Sequence, residues 1–109
     1  ELPGGSIYIE PFTKRAINPL VKFFGAQKEK FLEAAKALGG EPIALGDAGV
    51  TLQVFPKISV TLVIWEADDE FPASGNILFD TSASTFLATE DYAVLASQVV
   101  FTLKKLAKL

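Results

Sequence analysis

The stretch KISVTLVIWEADDEFPASGNILFD, residues 57–80, decides how the rest of the chain is read. Val60-Thr61-Leu62-Val63-Ile64-Trp65 is almost continuously apolar, and its β-branched and aromatic content favours a strand over a short buried helix. Because apolar and polar residues alternate poorly along it, the strand is expected to be central and covered on both faces. An acidic loop, Glu66 to Glu70, follows directly, and a second apolar run, Asn76 to Phe79, resumes the sheet.

Working outward, Glu41 to Leu45 and Val50 to Phe55 flank Gly46-Asp47-Ala48-Gly49, a hairpin connection. Val50, Leu52 and Val54 alternate with Thr51, Gln53 and Phe55, as in a strand with one buried face. Pro56-Lys57 turns the chain into the central strand, giving an antiparallel meander, and Ser6 to Glu10 reads as a further short strand ending before Pro11. Asn18-Pro19 has the pattern of a helix start, with Asn18 as cap and Pro19 at the first helical position. A second helix is expected over Ala26 to Leu38, with Phe31, Leu32, Ala35 and Leu38 on its apolar face and Gly39 in the left-handed position after its end. The last helix opens at Thr89, read as its cap, with Glu90 and Asp91 in its first turn. It repeats Tyr92, Leu95, Ala96, Val99, Leu103 and Leu106 at three- and four-residue steps. The expected fold is α+β: an antiparallel sheet of about four to five strands with two main helices packed on one face.

Composition excludes several function classes. The 109 residues are half hydrophobic and carry thirteen acidic against ten basic side chains, a net charge of −3. Such a balance gives no footing for nucleic acid or an anionic membrane. Cysteine and histidine are both absent, which removes disulfides, the usual zinc sites and nucleophile–histidine catalysis within these residues. Any metal would be a hard cation on oxygen ligands: magnesium, calcium or manganese. With no apolar run of membrane-spanning length and no signal-peptide pattern, a soluble, cytoplasmic protein is the expectation. The chain begins at Glu1 and holds no methionine, so it reads as a piece of a longer polypeptide, with a missing N-terminal segment or partner subunit, or a second copy as in a homodimer, meeting an exposed sheet edge or face.

Carboxylates are the only side chains here suited to act as general base near neutral pH. Glu66, Asp68, Asp69, Glu70, Asp80, Glu90 and Asp91 gather in one part of the sequence. If the loop folds back over the strand ends, Asp68, Asp69, Glu70 and Asp80 could ligate a divalent cation; the plainer reading is a solvated connection whose like charges repel. Neither an EF-hand run nor the second acid of an aspartyl phosphatase, which Ser82 displaces, is present. Trp65, Glu66 and Phe71 are candidates for contacting a ligand, weighed against ordinary packing at a strand end. Arg15, the single arginine, could bind an anion or pair with a carboxylate.

Leu2-Pro3-Gly4-Gly5, Arg15 to Leu20, Leu38-Gly39-Gly40, Gly46-Asp47, Trp65 to Ala73 with Ile77 to Asp80, and Thr89-Glu90-Asp91 together resemble a prokaryotic domain-of-unknown-function family, number 3786, found mainly in anaerobic bacteria and archaea. The resemblance, taken as one to the C-terminal half of that family only, implies a longer N-terminal portion and, in some members, a cysteine-rich iron–sulfur segment, neither present in these residues. It implies no reaction. Two functions stay open: a non-catalytic ligand- or partner-binding accessory domain, and a divalent-cation-dependent, hydrolase-like enzyme using the loop carboxylates. A purely structural subunit interface is a third.

Overall fold

The computed structural model describes residues 6–7, 16–55, 58–81 and 89–109. Its elements run β1 (Ser6–Ile7), α1 (Asn18–Phe24), α2 (Lys28–Ala37), β2 (Glu41–Ile43), β3 (Ala48–Phe55), β4 (Ile58–Trp65), β5 (Ser74–Thr81) and α3 (Thr89–Leu106). The five strands form one sheet in the order β1-β5-β4-β3-β2, antiparallel throughout. The α+β class and the central place of the 58–65 strand are as the sequence predicts.

Register places the core. Ile64, Leu62 and Val60 of β4 lie opposite Ala48, Val50 and Leu52 of β3, and Leu62 and Val60 lie opposite Ile77 and Phe79 of β5. All of these are buried, in one cluster with Leu20 and Phe24 of α1, Phe31, Ala34 and Ala35 of α2, and Tyr92, Ala96, Val100 and Leu103 of α3. Each large aliphatic or aromatic side chain so covered contributes about 1.5–3 kcal/mol relative to exposure.

The other face of β4 differs from the expectation that both would be covered. Ser59 and Thr61 are half-buried and Trp65 is exposed, while Val63 alone is closed off. Its neighbours across the strands are largely polar: Thr51 and Thr61 share a hydroxyl–hydroxyl bond of 3.0 Å. A run that looks continuously apolar thus carries a period-2 pattern hidden by threonine, whose methyl group tolerates partial burial and whose hydroxyl tolerates water.

Two helix starts are also corrected. Asn18 does not cap α1; Ile17 occupies that position with helical angles, there is no side-chain cap hydrogen bond among the described residues, and Pro19 sits in the first turn. The second helix opens at Lys28 rather than Ala26, because Gly25 and Ala26 form a turn and Gln27, at φ −142° and ψ 52°, lies outside the helical region. At its other end Gly39 has φ +85°, and Gly39 and Gly40 donate to the carbonyls of Lys36 and Ala35 at 2.9 and 2.8 Å. That closure is the one read from Gly39-Gly40, and it turns the chain into β2. The turn read at Pro56-Lys57 and the rest of the first strand after Ile7 lie outside the described residues, as does the Thr89 side chain read as a cap. Among the described residues no helix is long and apolar enough to cross a membrane.

Candidate functional site

Trp65 and Ser74 are opposed in the β4–β5 ladder, so residues 66–73 leave and re-enter the sheet at adjacent points. The acidic loop is therefore anchored at both ends by the same rung. Within it, Asp68 Oδ1 accepts the N–H groups of Glu70 and Phe71, both at 2.8 Å, and the Asp68 N–H donates to the Phe71 carbonyl at 2.9 Å. This is the Asx-turn chemistry by which a short carboxylate replaces missing backbone partners. The Phe71 N–H, and after it the Glu70 N–H, hold the Asp68 carboxyl below its ordinary value of 3.8 by favouring the charged form.

A second loop meets the first. Asp47, between β2 and β3, accepts the Glu66 N–H on Oδ2 at 2.6 Å and donates its own N–H to the Ile64 carbonyl at 2.9 Å. Gly46 makes the approach possible: its φ is +67°, and a Cβ there would stand 2.5 Å from Val63 Cγ1 and 2.9 Å from the Ile64 carbonyl oxygen. The 44–47 loop consequently lies over Val63, which accounts for that residue's burial on the otherwise polar face. Glu66 also reaches Lys28 at the start of α2, Nζ to Oε1 3.8 Å.

These clasps present apolar side chains to solvent. Trp65 is 39% exposed, Leu45 44%, Ile43 36% and Phe71 66%. Asp47, Asp68, Asp69 and Glu70 are exposed around them, and Glu66 is half-buried. Trp65, Glu66 and Phe71 are therefore brought to one end of the sheet with the acidic loop. Sequence reasoning missed Asp47, Leu45 and Ile43; the Gly46-Asp47 pair was visible as a turn, but nothing local says that its carboxylate would bond a residue nineteen positions away.

The remaining sequence candidates fall elsewhere. Asp80 is opposite Ser59 and Ser6, at the far end of β5 from Ser74. Six residues at about 3.4 Å each put it roughly 20 Å from the loop. The convergence of Asp68, Glu70 and Asp80 is thus not the observed arrangement, because β5 pairs without a break from Ser74 to Thr81 and so separates Asp80 from the loop, and among the described residues no three acidic side chains form a group that could hold a metal. Asp91 is exposed on α3. Arg15 and the Glu90 side chain lie outside the described residues. Clefts of about 190, 300 and 360 Å³ are lined by Leu38, Leu52 and Val99, by Ala34, Ala37 and Leu106, and by Gln27, Lys28 and Glu66 with their neighbours. Trp65 and Phe71 line none of these three.

The chain matches the family model described as a domain of unknown function (DUF3786) over residues 1–102. Most of the chain is taken in, so the restriction of the resemblance to a C-terminal half is corrected. No curated protein and no solved structure matches. The clasped loops and their exposed aromatic residues all fall inside the matched span, and the chain belongs to the DUF3786 family.

Proposed function

We propose that this domain is a non-catalytic binding module whose working surface is the end of the sheet carrying Ile43, Leu45, Trp65 and Phe71. The observation that carries the reading is the exposure of Trp65, at the end of β4, and of Phe71, on the loop that follows it and is tied down by Asp47 and Asp68. Exposed aromatic side chains are the usual energetic anchors of protein interfaces, and anchors on pre-ordered loops lose less conformational freedom on binding.

The cation-dependent enzyme would need carboxylates that converge, and Asp80 stands apart from Asp68, Asp69 and Glu70. A thermal melt with magnesium, calcium or manganese checks this directly: a rise abolished by Asp68→Asn would restore the metal site. For the binding reading, peptides are selected from a random display library on the immobilised chain. Trp65 is the only tryptophan, so its emission reports occupancy. Selected peptides should shift that emission and lose about tenfold or more in affinity on Phe71→Ala, equivalent to about 1.4 kcal/mol. Peptides that leave the emission unchanged and bind the variant equally would overturn the reading.

A further inference from the structure

Resting on that reading, we infer that the partner of this surface is a cationic polypeptide segment, one in which lysine or arginine flanks an aliphatic or aromatic anchor. The apolar part comes from Leu45, Trp65 and Phe71, exposed at one end of the sheet. The two loops beside them, residues 44–47 and 66–73, carry charge of one sign: Asp47, Glu66, Asp68, Asp69 and Glu70. Among the described residues, Lys28 at the start of α2 pairs with Glu66 of this group. A partner that buries the apolar residues must therefore approach through a rim of carboxylates, and the complementary partner brings positive charge at the edges of its apolar contact.

Other occupants fit worse. A second copy placed symmetrically on this surface would oppose the same carboxylates to one another. Nucleic acid and anionic lipid are repelled by the same rim. An isolated cation is disfavoured because Asp68 Oδ1 is already engaged with two backbone N–H groups.

The test uses fluorescently labelled versions of the selected peptides, followed by anisotropy. Peptides enriched in lysine and arginine beside an aromatic or aliphatic residue are expected. Their affinity should fall about tenfold between low and high sodium chloride, since surface charge is screened over roughly 10 Å at 0.1 M salt. Asp69 and Glu70 are exposed, and their replacement leaves the Asp68 turn in place, so D69N/E70Q should weaken binding about fivefold and D69K/E70K about thirtyfold while far-UV circular dichroism stays unchanged. Peptides that depend on Phe71 but carry no basic excess and ignore D69N/E70Q would overturn the cationic partner while leaving the binding surface intact. Failure to select any peptide, or selection of peptides indifferent to Phe71→Ala, would overturn both. Concentration-dependent sedimentation that D69N/E70Q strengthens would instead identify a second copy as the occupant and refute the inference.

Discussion

Tyr92→Phe should stabilise this protein, contrary to the usual direction of a core substitution. Tyr92 is 3% exposed, and its ring packs on Phe79 with centroids 5.0 Å apart. Its hydroxyl is buried and has no hydrogen-bond partner among the described residues. Burying a hydroxyl unpaired costs about 1–3 kcal/mol, because the group gives up water and receives nothing in return. Removing the oxygen leaves the ring and its Phe79 contact in place, and a void on the order of 10 Å³ at about 24 cal/mol per Å³ costs only about 0.2 kcal/mol. The balance is a gain of about 1 kcal/mol or slightly more. In urea unfolding with a slope of about 2 kcal/mol per molar, that moves the midpoint up by roughly 0.5 M at unchanged slope, and it raises Tm by about 4–5 °C. A variant less stable than the parent by 1 kcal/mol or more would refute the reasoning, since it would mean that the hydroxyl makes a bond worth keeping.

Other substitutions separate backbone effects from packing. Gly39→Ala and Gly46→Ala both force alanine into positive φ, but nothing lies within 4 Å of a Cβ at Gly39, whereas one at Gly46 meets Val63 and the Ile64 carbonyl. Chemical denaturation should show a loss of about 1 kcal/mol for the first and about 2–4 kcal/mol for the second. Asp47→Ala removes the acceptor for the Glu66 N–H, and should cost about 1 kcal/mol and speed hydrogen exchange at that amide. The Asp68 carboxyl is held below 3.8 by bonds made in the folded loop, so the charged form favours the fold: its contribution is fully present above that pH and is lost as pH falls through the lower, folded value. The amide shifts of Phe71 and Glu70 should therefore hold steady on acidification to about 3.8 and move below it; a midpoint above 3.8 would contradict the hydrogen-bonded turn. Leu62→Ala, in the middle of β4 with no exposure, should cost about 2–5 kcal/mol by calorimetry.

Which parts of this molecule were legible beforehand follows from how far apart the deciding residues lie. The meander, the central strand and the Gly39 closure of α2 rest on neighbours: alternation along a strand, turn residues between strands, a glycine after a helix. Asn18 misled for a related reason. The Asn-Pro pair has a cap's composition, yet the chain enters α1 through a wider turn at residues 16–17 that leaves Ile17 at the cap and the Asn18 side chain outside it. The distance of Asp80 from the acidic loop was readable in principle, since both ends of one extended strand cannot meet.

By itself, then, the sequence determined an α+β domain built on the residue 58–65 strand, the exclusion of cysteine and histidine chemistry, and an acidic loop bounded by Trp65 and Phe71. Tertiary structure decided the rest: that the helices take the Val60–Leu62 face and leave Thr61 and Trp65 on the other, that the 44–47 loop closes over Val63, and that Asp47 clasps Glu66. Each of those rests on contacts between residues far apart in the chain, whose formation depends on register and on close approach at Gly46 rather than on any local pattern. Composition supplies the charges and rings of a surface; only packing brings them to the same end of the sheet.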